Sequence, residues 1–114
     1  MNVSPGSISA CLVVFNEEDV IERCLKSIRY LVDEIIVIHD GQCKDKTIEI
    51  VSRYTDKVFT EPHIGIGEPH RSVSFEKARG GWILQIDADE YIDDNEHSTI
   101  KNLTQQKEID GFYF

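Results

Sequence analysis

The chain is short of positive charge and of long apolar runs, and each shortage excludes a class of protein. Its 114 residues carry 12 Lys and Arg against 21 Asp and Glu, a formal net charge of −9. Nucleic-acid binding needs a basic surface, so no nucleic-acid partner is expected. No apolar run approaches the roughly 18 residues of a membrane-spanning helix, so no transmembrane segment is expected. We therefore expect a cytoplasmic location, including the periphery of the inner face of the membrane.

Cysteine is scarce as well. Cys11, Cys24 and Cys43 are widely spaced and form no Cys-x-x-Cys pair, which argues against a disulfide framework and a zinc site. Cys11 lies in a predicted strand and Cys24 on the apolar side of a predicted helix, so both are expected in the core. The four histidines are scattered, and most are expected at the surface or in loops.

What the sequence does contain is a regular alternation of apolar strands and amphipathic helices. The apolar run over 8–15 predicts a strand buried on both faces, and the apolar spacing over 20–30 predicts a helix. The alternation predicts α/β structure, a three-layer αβα fold with a mainly parallel Rossmann-like sheet of strand order 3-2-1-4. Further strands are predicted over 34–38, 57–60, 82–86 and from 110 onward, with helices from 45 or 47 onward and over 69–78 and 95–106.

The strongest indication of function is the sequence Asp-Ala-Asp-Glu at 87–90, directly behind the apolar run 82–86. Two carboxylates spaced i, i+2 at a strand end repel each other unless a cation neutralises them, and hard oxygen ligands favour Mg²⁺ or Mn²⁺. Alone, such a triplet is more often an acidic turn that ends a strand. In a doubly wound sheet, however, ligands bind at the carboxyl ends of strands, where Asn16 and Asp40 are also predicted to lie. The three polar clusters are therefore expected to share one site.

Together the motifs resemble the nucleotide-sugar-binding half of a family 2 glycosyltransferase with the GT-A fold. The resemblance runs from about Ile8 to Asp93 and rests on three motifs in order: Phe-Asn-Glu-Glu at 15–18, Asp-Gly at 40–41 with Asp and Thr at 45 and 47, and 81–90. The family transfers a sugar from a nucleoside-diphosphate donor, usually with inversion at the anomeric carbon. The resemblance thus implies a nucleoside-diphosphate-sugar donor, usually a UDP-sugar, a Mn²⁺ or Mg²⁺ cofactor, and an unidentified glycan or lipid-linked acceptor.

By position, the resemblance also implies a nucleoside pocket. Phe15 and Asn16 would line it, although the sequence allows Phe15 to be a core residue. Glu17 would lie beside it, or act only as an acid in the first turn of a helix. Asp40 would accept a hydrogen bond from the base, usually uracil. Arg71 would approach the donor, although a solvated surface arginine fits the sequence as well.

At the acidic segment, the resemblance implies contacts to the rest of the donor. Asp87 would meet the ribose or the metal-bound diphosphate, and Asp89 would coordinate the metal directly. The predicted metal ligands are therefore Asp89 and Asp87. The full set implied in substrate binding is Phe15, Asn16, Glu17, Asp40, Arg71, Asp87, Ala88 and Asp89.

The matching fold normally continues for about as many residues again, and that part carries the acceptor site and the usual catalytic base. Residues 1–114 are therefore expected to form a single GT-A-like nucleotide-sugar-binding domain that is truncated at its C-terminal end. No catalytic residue is assigned. His97 is the only nearby titrating candidate after Glu90, and on a polar helix it is expected to be solvated. An unpaired final strand favours a homodimer.

Two other functions stay open. One is a truncated or degenerate nucleotide-sugar-binding module without transfer activity. The other is a nucleotidyltransferase, which shares the metal-diphosphate chemistry but usually carries a Gly-rich basic loop where this chain has Glu17 and Glu18.

Overall fold

Strands and helices alternate along the chain as predicted. A computed structural model describes residues 7–64, 68–104 and 112–113, with the backbone alone described for Glu68, Phe112 and Tyr113. In these residues the strands are β1 (Ile8–Val14), β2 (Glu34–Asp40), β3 (Val58–Glu61), β4 (Trp82–Gln85) and β5 (Phe112–Tyr113), and the helices are α1 (Ile21–Ile28), α2 (Thr47–Val51), α3 (Glu68–Lys77) and α4 (Asp94–Leu103).

The strands form one sheet with the order β3-β2-β1-β4-β5, in which every pairing is parallel. The predicted order 3-2-1-4 is confirmed, and the final strand adds beside β4. Cys11 of β1 lies between Ile36 of β2 and Gln85 of β4. Parts of two predicted elements, 105–106 of the last helix and 110–111 and 114 of the last strand, lie outside the described residues.

Helices cover both faces of the sheet, because β1 and the central residues 35–38 of β2 are apolar at nearly every position. Ala10, Leu12 and Val14 face the larger core, which includes apolar residues of α1, α2 and α4. Cys11 faces the smaller core on the other side, where Val73 and other residues of α3 pack. Cys11 and Cys24 are buried free thiols, which confirms their predicted core positions.

Strand β2 is two residues longer than predicted. His39 and Asp40 continue the ladder opposite Thr60 and Glu61 of β3, and both side chains are buried. Buried polar side chains are stable when they are hydrogen-bonded, so the extension brings a carboxylate and an imidazole into the carboxyl edge of the sheet.

Gly80 lies where the chain passes close to β1 before entering β4. A Cβ at this position would lie 2.6 Å from Ser9 Oγ and 2.7 Å from Ser9 N. Backbone atoms of a central strand cannot shift cheaply, so we expect Gly80→Ala to lower the free energy of unfolding by about 1–3 kcal/mol. Urea unfolding followed by circular dichroism measures this.

Gly81→Ala is the matched control for this substitution, because Gly81 is exposed and its φ is not positive. We expect it to be neutral or slightly stabilising. Equal stabilities of the two variants would contradict the close approach at Gly80.

Candidate functional site

The loop after β1 and the loop after β2 are joined by hydrogen bonds at the carboxyl edge of the sheet. Asn16 takes a left-handed conformation with φ of 48°, which asparagine tolerates better than most residues. Its side-chain Oδ1 accepts a hydrogen bond from Lys44 N–H at 3.0 Å. The N–H of Glu17 donates to Thr47 Oγ1 at 2.6 Å. The two loops therefore form one surface.

Asp45 holds the same junction from the β2 side. Its Oδ1 accepts from Thr47 N–H at 2.9 Å, as expected for a residue that precedes a helix, and its Oδ2 accepts from Glu18 N–H at 3.2 Å. Desolvation acts to raise the pKa of Asp45, but the hydrogen bonds from Thr47, Glu18 and Cys43 outweigh it and lower the pKa to about 2. The charged form is thus favoured in the folded state.

This lowered pKa gives a pH-dependent prediction. Because the folded pKa lies below the unfolded one, the charge of Asp45 stabilises the fold above about pH 4, and this stabilisation is lost as pH falls toward about 2. We expect Asp45→Asn to lower the free energy of unfolding by about 1 kcal/mol at pH 7. The difference from wild type should shrink as the pH falls from about 4 to about 2.

Urea unfolding from pH 7 to pH 2 measures the effect of Asp45. Glu49→Gln is the control, since Glu49 is an exposed acid on α2 and should change stability by less than about 0.5 kcal/mol. A constant difference between Asp45→Asn and wild type at every pH would contradict the role of its charge.

Asp40 is the centre of a buried polar cluster at the end of β2. Its side chain is 9% exposed, and Oδ1 lies 2.8 Å from His70 Nε2 on α3 and accepts from Ile64 N–H at 2.9 Å. Oδ2 lies 2.8 Å from His63 Nδ1. His70 is buried, whereas the His63 side chain is 61% exposed. One carboxylate oxygen is thus held from inside the fold and the other faces a solvent-accessible ring.

Phe15 lies beside this cluster rather than in the core. It is 48% exposed, so its alternative interpretation as a core residue is wrong. Its ring centroid is 5.3 Å from that of His63 and 6.0 Å from that of His39. His39 is fully buried; its Nδ1 is 2.7 Å from Gly41 O, and its Nε2 accepts from Asn16 N–H at 3.2 Å. The exposed ring of Phe15 and the buried carboxylate of Asp40 therefore both contact His63 in the loop after β3.

The acidic segment 87–90 forms a turn behind β4 in which the side chains alternate between core and solvent. Ala88 is 2% exposed and belongs to the larger core, whereas Asp87 and Asp89 are exposed. Glu90 Oε1 accepts from Asp87 N–H at 2.8 Å, and Glu90 N–H donates to Asp87 O at 3.0 Å. The buried Ala88 and the Glu90 bonds fix the turn, so both aspartates project at the carboxyl end of the strand.

Glu17 connects the acidic turn to the β1 loop. Burial raises the pKa of the Glu17 carboxyl above its ordinary value, the hydrogen bond from Phe15 N–H opposes this, and the charges of Asp89, Asp87 and Asp45 raise it further. The carboxyl of Glu17 therefore interacts electrostatically with Asp87 and Asp89. The all-parallel sheet places these acids at one edge, as predicted, and their contacts with a ligand stay predictions.

The acids fit a divalent cation in chemistry but not as a complete cage. Among the described residues, no group of three or more His, Cys, Asp or Glu side chains is arranged to hold a metal ion. Mg²⁺ is usually bound through one or two carboxylates together with substrate phosphates and water. Asp87 and Asp89 could supply carboxylates of that kind to a divalent cation.

Two other predicted positions have different outcomes. Arg71 is half-buried on α3, next to His70, and its carbonyl accepts from Ser74 Oγ at 2.7 Å; its contact with a donor stays a prediction. His97 was expected to be solvated, and this is wrong. It is half-buried, with Nε2 2.8 Å from Ser27 O, because α4 packs against α1.

The sequence interpretation missed the histidines around Asp40. His39 and His70 are buried, so the expectation that most histidines are ordinary surface or loop residues is wrong for these two. His63 is an exposed loop residue as expected, but its ring contacts Asp40. One sequence signal was available for His39, which directly precedes Asp40 at the end of an apolar strand. The other two come from the β3–α3 region, and their approach depends on the path of that connection.

A doubly wound α/β sheet with polar clusters at the carboxyl ends of its strands defines a class of folds that bind ligands at that edge. Comparison with known proteins gives the family. Residues 9–112 match the family described as Glycosyl transferase family 2. The chain belongs to this family.

Individual relatives and solved structures agree with that assignment. A protein of Rickettsia bellii described as an uncharacterized glycosyltransferase is 38% identical over 84 residues, which are 73% of this chain and 28% of the relative. The crystal structure of S. aureus TarS 1–349 matches with a TM-score of 0.70 and 25% identity, over 87% of this chain and 31% of that chain.

A third match is the structure of a ligand complex. It is glucosyl-3-phosphoglycerate synthase from Mycobacterium tuberculosis in complex with Mn²⁺, uridine diphosphate and glucosyl-3-phosphoglycerate. The TM-score is 0.59 and the identity 28%, over 75% of this chain and 35% of that protein. This chain thus spans about a third or less of the proteins it matches. In its described part, no helix is long and apolar enough to cross a membrane.

Proposed function

We propose that this domain binds a nucleoside-diphosphate-sugar, specifically a UDP-sugar, at the carboxyl edge of the sheet, and that it serves an inverting, metal-dependent glycosyltransferase. One observation carries the proposal. Phe15 is followed directly by Asn16, whose N–H donates to His39 beside Asp40, and by Glu17, whose carboxyl interacts electrostatically with Asp87 and Asp89. A base site and a diphosphate site are therefore adjacent.

The base would occupy the pocket between Phe15 and Asp40. An exposed aromatic ring offers a face for stacking, and a carboxylate accepts a hydrogen bond from a ring N–H of the base. Uracil has such an N–H between two carbonyl groups. Asn16 supports this pocket, since its N–H donates to His39 Nε2 and its Oδ1 accepts from Lys44 N–H in the loop after β2.

The diphosphate would lie toward the acidic turn. Asp89, with Asp87, would hold Mn²⁺ or Mg²⁺ together with diphosphate oxygens, while Ala88 anchors the turn in the core. The cation would offset the charge that develops on the leaving diphosphate. Glu17 strengthens the requirement for a cation, because three neighbouring carboxylates repel an approaching diphosphate. Arg71 follows His70, which contacts Asp40. It would meet the donor on the α3 side.

The acceptor side is proposed to lie outside this domain, with residues 1–114 forming the donor-binding half of the fold. The acids of the site cluster around the donor, and His97 is engaged with Ser27 O. A domain that binds donor without transferring sugar is therefore the second candidate function. The engagement of His97 with Ser27 favours donor binding without transfer when residues 1–114 are assayed by themselves.

Titration with nucleotides tests the proposal. We expect UDP to bind the 114-residue chain in the presence of Mn²⁺ and to bind about 100-fold more weakly with a chelator, since a metal ion contributes several kcal/mol to charge stabilisation. CDP, which lacks the ring N–H, is the matched control nucleotide and should bind more weakly than UDP. Equal affinity with Mn²⁺ and with chelator, or no UDP binding, would contradict the proposal.

A further inference from the structure

We propose that His63 occupies the place of the donor's nucleobase and is displaced when the donor binds, so that this side chain lowers donor affinity. The inference rests on the proposed function, because it concerns the same pocket. It adds a competitor from within the chain, which the pocket must release before a nucleotide can enter.

The contacts of His63 are those that a base would make. Its imidazole lies against the exposed ring of Phe15, with centroids 5.3 Å apart and planes tilted by 39°. Its Nδ1 lies 2.8 Å from Asp40 Oδ2. A planar ring against an aromatic side chain, with a ring N–H directed at a carboxylate, is the arrangement expected for a bound uracil.

His63 differs from the other histidine on Asp40 in its exposure. The His70 side chain is 5% exposed and contacts Oδ1, whereas His63 is 61% exposed and contacts Oδ2. His70 and Ile64 N–H continue to hold Oδ1 when the His63 ring moves away. The carboxylate therefore keeps its orientation when the His63 ring leaves.

The loop that carries His63 is anchored by backbone atoms on both sides of it. Gly41 N–H donates to Glu61 O at 2.7 Å, and Ile64 N–H donates to Asp40 Oδ1. Neither bond involves the His63 side chain, so the ring can rotate outward while the loop stays in place. The backbone of the His63 loop packs closely against Gly41, since a Cβ at position 41 would lie 2.8 Å from His63 Cβ.

Space for the displaced ring exists next to the pocket. An open depression of about 640 Å³ is lined by His63 itself and by Gly41, Cys43, Thr60 and neighbouring residues. A rotated imidazole can enter this depression without moving the sheet. Displacement thus costs the two contacts of the ring and little else.

Titration of UDP with Mn²⁺ into His63→Ala, His63→Phe and wild type tests the inference. We expect His63→Ala to bind UDP about tenfold more tightly, because the competing ring contact and hydrogen bond are gone. His63→Phe keeps a ring against Phe15 but cannot donate to Asp40, so its affinity should lie between the two. Tyr30→Ala is the matched control and should bind as wild type does, since it also removes an exposed ring, but from the connection between α1 and β2, away from the pocket. Unchanged or weaker UDP binding in His63→Ala would overturn the inference.

A second readout separates this inference from the proposed function. In wild type, the NMR signals of the His63 ring should shift when UDP and Mg²⁺ are added, toward the positions they take in Asp40→Asn. Wild type that binds UDP with unmoved His63 signals would overturn the inference alone. Absence of UDP binding in wild type and in both His63 variants would overturn the proposed function together with it.

Discussion

Asp89→Asn should abolish the Mn²⁺ dependence of UDP binding while leaving the fold intact. Asp89 is an exposed carboxylate at the end of β4, and its neighbour Ala88, not Asp89 itself, anchors the turn. An amide is a much poorer ligand for a hard divalent cation than a carboxylate. We expect affinity for UDP in Mn²⁺ to fall about 100-fold, to the level that wild type shows in chelator.

Isothermal titration with Mn²⁺ and with chelator measures the effect of Asp89→Asn, and thermal unfolding checks the fold. Asp93→Asn is the matched control, since it removes the same charge from an exposed position nearby whose side chain makes no capping hydrogen bond to α4. It should keep the Mn²⁺ dependence. A variant at Asp89 that still binds UDP more tightly in Mn²⁺ than in chelator would place the cation elsewhere.

Asp40→Asn should remove most of the affinity for uridine nucleotides and also destabilise the fold. The asparagine oxygen can still accept from His70 and Ile64, but its NH₂ group would then replace Oδ2 and meet the ring N–H of the base, donor against donor. Losing a hydrogen bond to a charged acceptor costs about 1.5–3 kcal/mol, which is about 10–100-fold in affinity. The free energy of unfolding should fall by about 1–3 kcal/mol, because a buried cluster loses its charge.

Titration with uridine, UMP and UDP separates the base contact from the diphosphate contact in Asp40→Asn. A loss of similar size for all three ligands is expected, since each contains the base. Asp56→Asn is the control, because Asp56 is exposed and precedes β3 at the opposite end of the sheet. A loss that is seen for UDP but not for uridine would show that Asp40 does not contact the base.

The sheet could be predicted from the sequence because its order depends on few rules. Continuous apolar runs at β1 and β2 alternate with amphipathic helices, and parallel crossovers of one hand leave few strand orders. The same rules place Asn16, Asp40 and Asp87 at one edge, since parallel strands end together. Periodicity does not show how far a strand extends, and the pairing of His39 and Asp40 with β3 was therefore missed.

The candidate site could be predicted only where it follows directly from a strand. The i, i+2 spacing of Asp87 and Asp89 around an apolar Ala88 already contains the alternation between solvent and core. His63 and His70, by contrast, reach Asp40 from a loop and a helix that come more than twenty residues later. Such approaches depend on tertiary packing, for which hydrophobic periodicity gives no signal. The exposure of Phe15 was ambiguous for the same reason, because an apolar residue at a strand end fits a core and a pocket equally well.

The central claim is that a nucleoside diphosphate and a divalent cation bind together at the carboxyl edge of the sheet. Paramagnetic broadening in ¹H–¹⁵N NMR spectra locates the cation most directly, with Mg²⁺ and UDP as the diamagnetic reference. When Mn²⁺ replaces Mg²⁺ in the presence of UDP, the amide signals of residues 16–18 and 87–90 should broaden beyond detection, while those of Asp33 and Asp56 at the opposite end stay sharp. Broadening centred on Asp33 and Asp56, or uniform weak broadening without a centre, would contradict the claim.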